Sequence, residues 1–241
     1  MKAYVMTDVG RVRLTNEDAS YLPVSGERFA AVADGMGGHR AGEVASAMAI
    51  QVFSQILREA DDPASEEVLI RAVDLANAAI YRQSRQDPGQ HGMGTTLTGL
   101  WFGSDYVYLC HVGDSRAYLL RNEALMQMTN DHSLVNELLE RGEITHKEAR
   151  VHPQRNMITR ALGTGKHVIS DIIRMDYRPG DCWLLCTDGL SNYLSSSELA
   201  RILRMDIPWE DKLGSLVEAA LQRGGADNIT ALVIPYEGGI T

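Results

Sequence analysis

Four aspartates in this chain each stand beside a glycine or another small residue at one end of an apolar, strand-like run. They occur in Phe29-Ala30-Ala31-Val32-Ala33-Asp34-Gly35, His111-Val112-Gly113-Asp114-Ser115, Leu184-Leu185-Cys186-Thr187-Asp188-Gly189 and Gly224-Gly225-Ala226-Asp227-Asn228-Ile229-Thr230. A fifth acidic spot, Asn16-Glu17-Asp18, lies near the N-terminus. If those strand ends meet, several carboxylates crowd one site, and like charges that close do not all stay ionised without a cation among them. The spots supply oxygen ligands with no cluster of His and Cys, a set that suits hard Mg²⁺ or Mn²⁺ far better than zinc. The chemistry implied is that of a metalloenzyme.

Taken singly, an Asp-Gly pair is more often a hairpin turn than a ligand, because both residues tolerate positive φ. The flanking residues argue otherwise. Asp34-Gly35 runs on through Met36-Gly37-Gly38-His39 into a helical pattern. Asp188-Gly189 is followed by Leu190-Ser191-Asn192-Tyr193-Leu194, without strand alternation, and Asp227 precedes its strand. Hairpin logic explains none of the three.

The elements that must position these residues follow from periodicity. Short strands are expected at 4–7, 19–24 and 29–33. A helix is expected from 41 to about 60, with Val44, Ala45, Met48, Ala49, Val52, Phe53, Ile56 and Leu57 on one face. A second helix runs from 66 to about 85 and buries Leu69, Ala72, Val73, Ala76 and Ile80. Strands resume at 95–102, 106–112 and 117–121. The stretch 130–165 reads as helical and polar, with a capping box at Thr145-His146-Lys147-Glu148. Strands return at 168–175, 182–186 and 230–235. Between them lie a helix opening at the capping box Ser195-Ser196-Ser197-Glu198 and another running from Trp209 to the Gly224-Gly225 stop. Strict βαβ alternation is missing. The pattern predicts an antiparallel β-sandwich flanked by helices on both sides.

Composition sets outer bounds. The 241 residues are 44% hydrophobic and 23% charged, an ordinary globular mixture able to bury a large core. No linker-like tract or repeat period breaks the chain, so a single domain spanning 1–241 is expected. A net charge of −9 argues against nucleic acid or an anionic lipid surface. An acid at Asp8 interrupts any signal-peptide core, and the uncharged stretch 92–104 is too short to cross a bilayer, so no membrane insertion is expected. Cys182 and Cys186, four residues apart on one expected strand, lie beyond disulfide reach; reduced thiols point to a cytoplasmic protein.

With these strings in order, the chain resembles the metal-dependent serine/threonine protein phosphatases of the type-2C class (the PPM family), in its compact bacterial form. The resemblance rests on Gly10-Arg11-Val12-Arg13-Leu14-Thr15-Asn16-Glu17-Asp18-Ala19, Val32-Ala33-Asp34-Gly35-Met36-Gly37-Gly38-His39 and Gly92-Met93-Gly94-Thr95-Thr96. It continues through His111-Val112-Gly113-Asp114-Ser115-Arg116, Asp131-His132-Ser133-Leu134-Val135 and His152-Pro153-Gln154-Arg155-Asn156. It ends with Thr187-Asp188-Gly189-Leu190-Ser191 and Gly225-Ala226-Asp227-Asn228-Ile229-Thr230. No single string decides the matter; the ordered set, spread end to end, is specific.

The resemblance implies an α+β fold, a four-layer α-β-β-α sandwich of two antiparallel sheets with a small helical flap at 130–165. It implies dephosphorylation of phosphoserine and phosphothreonine on proteins by a metal-bridging hydroxide, with no phosphoenzyme. Asp34 is then the bridge between two tightly held Mn²⁺ or Mg²⁺ ions, the Gly35 carbonyl a ligand of one, and Asp188 and Asp227 ligands of the other. Glu17 and Asp18 act partly through waters, and Asp114 with Asp188 holds a third, weaker ion. Arg13 becomes the phosphate clamp, a role that suits a planar guanidinium. His39 becomes a candidate acid for the leaving alkoxide, although Met36-Gly37-Gly38 separate it from Asp34-Gly35, unlike the direct succession in animal members. The implied partners are phosphorylated proteins, among them a cognate bacterial Ser/Thr kinase that the enzyme counteracts; a monomer is expected. His111, Cys182 and Cys186 read as core. The alternatives are a pseudophosphatase that only binds phosphoproteins and a hydrolase of small phosphate esters. A phosphoaspartate enzyme needs an Asp-x-Asp turn, and the chain has none.

Overall fold

The computed structural model describes residues 1–37, 41–60, 64–149 and 151–236. The strands are β1 Tyr4–Asp8, β2 Asp18–Tyr21, β3 Phe29–Met36, β4 Gly94–Thr95, β5 Leu97–Phe102, β6 Tyr106–Val112, β7 Arg116–Arg121, β8 Ala124–Gln127, β9 Asp171–Asp176, β10 Cys182–Cys186 and β11 Ile229–Pro235. The helices are α1 Ala41–Arg58, α2 Glu66–Gln86, α3 Leu134–Glu140, α4 His146–Ala149, α5 Asp188–Ser191, α6 Ser196–Leu203 and α7 Trp209–Gln222.

Two antiparallel sheets result. One has the order β1-β11-β10-β7-β8; the other runs β2-β3-β5-β6-β9, with β4 paired to β3. Strand side chains alternate between faces, and here each face is buried against a different layer. From β3, Phe29, Ala31 and Ala33 join α1 and α2 in one core, while Ala30 and Val32 enter the core between the sheets. From β10, Cys182, Leu184 and Cys186 pack under α6 and α7, while Trp183 and Leu185 face the opposite sheet. Strands buried on both faces read as continuous apolar runs, as Cys-Trp-Leu-Leu-Cys does. The architecture is the expected four-layer α-β-β-α sandwich.

Several expected boundaries move, each for a local reason. The second strand stops at Tyr21 instead of residue 24, two residues before Pro23, which has no N–H to give a ladder. The third continues to Met36 because Gly35 and Met36 pair with Thr95 and Gly94. The expected strand at 95–102 divides at Thr96, whose amide turns to the Asp34 carbonyl at 2.9 Å. Strand β8 was not expected: it follows a tight turn at Asn122-Glu123, both at positive φ (50° and 65°), as a two-residue hairpin of type I′ requires. The strand expected at 168–175 begins later, at Asp171, where pairing with His111 starts.

The stretch 130–165 is less helical than its pattern implies. Among its described residues only α3 and α4 are regular helices; its two roots are tied together by the bridge Ser133↔Ile158 and to the sheet by Thr95↔Leu162. Both expected capping boxes form. Glu148 accepts from the Thr145 amide at 2.8 Å, and Ser195 and Glu198 cap α6 reciprocally. The three cysteines are free and buried. Among the described residues no helix is long and apolar enough to cross a membrane.

Candidate metal centre

The acidic residues converge where the two sheets meet. Asp18 and Asp34 face each other as paired residues of β2 and β3. Asp188 follows β10 and opens α5, Asp227 precedes β11, and Asp114 sits in the turn from β6 to β7. A cleft of about 270 Å³ is lined by Arg13, Glu17, Asp34, Gly35, Asp114, Asp188 and Asp227, together with Met36, Gly37, Thr96, Asn156 and Ile158. The structure thus brings together the expected acids and Arg13. His39 lies outside the described residues.

Two glycines let the layers approach at this point. A Cβ on Gly35 would sit 2.1 Å from the Gly42 carbonyl of α1, and one on Gly189 would sit 1.9 Å from the Asn228 carbonyl. Side chains other than hydrogen are therefore excluded on steric grounds. The Asp-Gly pairs are packing requirements as much as turns.

Buried polar side chains hold the acids in place. Asp18 Oδ2 accepts from the hydroxyls of Thr187 (2.8 Å) and Thr230 (2.7 Å). Because the Thr230 proton goes to Asp18, the Thr7 hydroxyl donates to Thr230 Oγ1 at 2.8 Å. Asn228 is fully engaged. Its Oδ1 accepts from the Glu17 amide, and its Nδ2 donates to the carbonyls of Val9 and Thr15, so it ties the loop carrying Arg13 to the segment carrying Asp227. Thr96 Oγ1 accepts from the Asp34 amide at 2.8 Å, and Thr95 Oγ1 donates to the Asp34 carbonyl at 2.8 Å.

Electrostatically the site is unbalanced. Burial, with the neighbouring carboxylates adding to it, pushes Asp18 up to about 7, Asp114 to about 8 and Asp188 to about 6, and raises Asp34 well above the ordinary carboxylate range. Glu17 is also raised, mainly by burial. Asp34 and Asp188 each act on the other, the Asp188 charge adding to the rise at Asp34. Glu17 Oε1 and Asp18 Oδ1 are buried with no hydrogen-bond partner. Orphaned carboxylate oxygens in a crowded acidic cleft are what a bound cation would satisfy, so the donor set fits hard divalent ions. Among the described residues no three such side chains close into a finished cage. That suits ions that keep several waters and need only one or two carboxylates each.

The only cation lining the cleft is Arg13, among the described residues. Its Nη2 donates to Asp227 Oδ2 at 2.8 Å, with the two side chains 47% and 35% exposed. An ion pair this open is held by at most about 1 kcal/mol, so the guanidinium can turn to another anion at little cost. His111 is a satisfied core residue: Thr98 Oγ1 lies 2.9 Å from Nδ1 and the Asn130 carbonyl 3.1 Å from Nε2, and burial lowers it to about 3. Sequence reasoning missed Thr96, Asn156 and Ile158 as cleft residues. Thr96 and Asn156 stand inside quoted strings and Ile158 two residues past one, but side-chain type alone marks none of them as a cleft residue.

Known proteins share this chain's sequence and fold. The chain is 42% identical over 240 residues to the serine/threonine protein phosphatase PstP of Mycobacterium tuberculosis, covering 98% of this chain and 45% of that protein. It therefore spans about half the length of that relative. With the protein phosphatase PhpP of Streptococcus pneumoniae it shares 40% identity over 239 residues, 97% of either chain. The solved catalytic domain of PstP in complex with two manganese ions superposes with a TM-score of 0.86 at 40% identity, covering 96% of both chains. The description "Protein phosphatase 2C" matches residues 11–231, which include every acidic residue of the cleft: the chain belongs to the protein phosphatase 2C family.

Proposed function

We propose that this protein removes phosphate from phosphoserine and phosphothreonine side chains of proteins, with residues 1–241 acting as one catalytic domain and 130–165 as its flap. The observation that carries the reading is the convergence of Asp18, Asp34, Asp114 and Asp188, all raised by burial, with Asp227 beside them and two buried carboxylate oxygens left without a hydrogen bond. Asp34, Asp188 and Asp227 with the Gly35 carbonyl are the ligands of two divalent ions, Glu17 and Asp18 assist, and Asp114 with Asp188 serves a third and weaker one. When bound, such ions supply an acidified water and screen the charge on the transferring phosphoryl group. Mn²⁺ is the favoured ion, by analogy with PstP; Mg²⁺ has the same ligand preference.

The chain's own residues do the rest. Arg13 exchanges Asp227 for two phosphoryl oxygens and orients the ester. The Thr187 and Thr230 hydroxyls occupy Asp18 Oδ2, leaving the buried Oδ1 as the oxygen without a partner, the one free to accept from a ligand water. His39 donates a proton to the departing serine or threonine oxygen. The enzyme works as a cytoplasmic monomer and opposes a bacterial Ser/Thr kinase. Phosphate release from phosphothreonine peptides should require added Mn²⁺. Release undiminished in excess chelator would dismiss the metal-dependent reading.

Arg13→Ala should raise KM for phosphopeptides and lower kcat/KM by about 1.5–3 kcal/mol, the loss of one charge-assisted contact. Its affinity for Mn²⁺, measured by calorimetry, should barely move. Unchanged kinetics would return Arg13 to a plain surface role.

The flap bears the exposed cations Arg141 and Lys147, Arg141 lying 3.6 Å from Glu137. A phosphoprotein lies across this surface, whereas p-nitrophenyl phosphate does not. Replacing both cations by alanine should shift kcat/KM among phosphoproteins by about 1 kcal/mol, the scale of rim charges, and leave the small ester unaffected. Glu140 is kept, because Asn130 Nδ2 donates to it. A parallel loss on both substrates would make the segment a support of the core.

A further inference from the structure

The turn that carries Asp114 is gripped from the flap's root. Gly113 has φ +111°, and a Cβ there would lie 2.5 Å from Thr96 Cγ2, so the turn is pressed against the strand beside Asp34. On its other side stands His132. The Gly113 amide donates to His132 Nδ1 at 3.0 Å, and the Gly113 carbonyl accepts from the His132 amide at 2.8 Å. One residue thus holds both ends of the Gly113 residue's polar backbone. The ring is buried and packs against His111, centroids 4.8 Å apart and planes tilted by 36°.

The network fixes the ring's proton. A backbone N–H pointing at Nδ1 requires a lone pair there, so neutral His132 carries its hydrogen on Nε2. That hydrogen goes to Asp171 Oδ2, 3.2 Å away on β9. Arg160 Nη1 lies 3.2 Å from the same ring nitrogen, donor against donor, but donates to Asp171 Oδ1 at 3.1 Å. Arg160 orients Asp171, Asp171 selects the tautomer, and the tautomer accepts the Gly113 amide. Burial also disfavours a charged ring.

We infer that His132 is a positioning residue: through the Gly113 backbone it sets where Asp114 presents its carboxylate and couples the root of the flap to that side of the cleft. The inference rests on the reading of Asp114 as a ligand of the weaker ion. Partners behind a metal ligand commonly change metal affinity by about 10- to 100-fold when altered.

Three variants separate positioning from packing. His132→Asn places an amide oxygen near the position of Nδ1 and keeps an acceptor for Gly113. His132→Gln carries its amide out to the position of Nε2 and leaves the Gly113 amide unmet. Both lose the same ring contact with His111, so a packing role predicts similar behaviour. Asp171→Asn retains the ring; with its oxygen held by Arg160, its NH₂ faces Nε2, driving the ring hydrogen to Nδ1 against the Gly113 amide, the wrong-tautomer logic known from serine proteases. Calorimetric titration of the metal-free proteins with MnCl₂ is the first readout, and the Mn²⁺ dependence of p-nitrophenyl phosphate turnover is the second. His132→Asn should keep the weak Mn²⁺ step within about twofold of the parent, while His132→Gln and Asp171→Asn should weaken it by about tenfold or more with the tight step intact. Equal effects of Asn and Gln at 132, an unchanged weak step in His132→Gln, or loss of the tight step in either would overturn the inference. If the parent protein binds Mn²⁺ in two steps but releases no phosphate, the proposed function fails while the calorimetric comparison still decides the role of His132.

Discussion

Asp34→Asn is expected to lower kcat on a phosphothreonine peptide by about three orders of magnitude or more, a barrier increase of about 4 kcal/mol. Asn keeps the shape of the side chain and both backbone ties, from Thr95 and Thr96, so the fold has no reason to change. What is lost is the charge at the centre of the acidic group, the one whose neighbours include Asp18, Asp188, Asp114 and Asp227. The same substitution should raise the melting temperature of the metal-free protein, because it removes a buried carboxyl that repels four others. Steady-state kinetics and thermal unfolding together check both halves. Turnover within about tenfold of the parent enzyme would remove Asp34 from the metal centre.

Chelation should have an effect of comparable size, and one that depends on pH. Excess EDTA should abolish turnover. It should also give the metal-free protein a melting temperature that falls as pH rises from about 5 to about 8. Asp188, Asp18 and Asp114 are raised from an ordinary 3.8 to about 6, 7 and 8. The folded metal-free state therefore holds more protons than the unfolded chain above about pH 4, and stability must drop as those protons leave. Its full value is present below the unfolded carboxylate range and is gone once pH has passed the folded values. Saturating Mn²⁺ should cancel the slope, since it favours the ionised carboxylates, and should add about 2.7 kcal/mol at a hundredfold excess over Kd. A melting temperature independent of both pH and Mn²⁺ would contradict the charge imbalance described for the cleft.

The sandwich was legible because its strands are buried on both faces and its helices carry clean apolar stripes. Both features leave period signals, and both strands 106–112 and 182–186 have the extents that pattern implies. The acidic residues were legible because the segments after Asp34-Gly35 and Asp188-Gly189 do not return as hairpin strands and Asp227 comes before its strand, which a simple turn does not explain. Strand β8 was hidden because Asn122-Glu123 does a turn's work without the expected glycine. The flap was overread as helix because short amphipathic pairs such as Leu134 and Leu138 have helical spacing whether or not a long helix follows. Least visible were the groups that position the acids. Thr187 and Thr230 reach Asp18 across 169 and 212 residues of sequence, and Asn228 reaches the Glu17 amide across 211. No local pattern encodes a partner that distant.

The pairing of β1 with β11 has a consequence for how this enzyme can be attached to other things. Asp8 lies opposite Ile229, next to the cleft, whereas Tyr4 lies opposite Val233 at the other end of the same ladder. The first and last strands therefore run side by side, and both point their outer ends away from the acidic centre by about 13 Å of strand. A segment that continued the line of either strand would leave on the side opposite the cleft. Whatever is joined there leaves the acidic cleft uncovered.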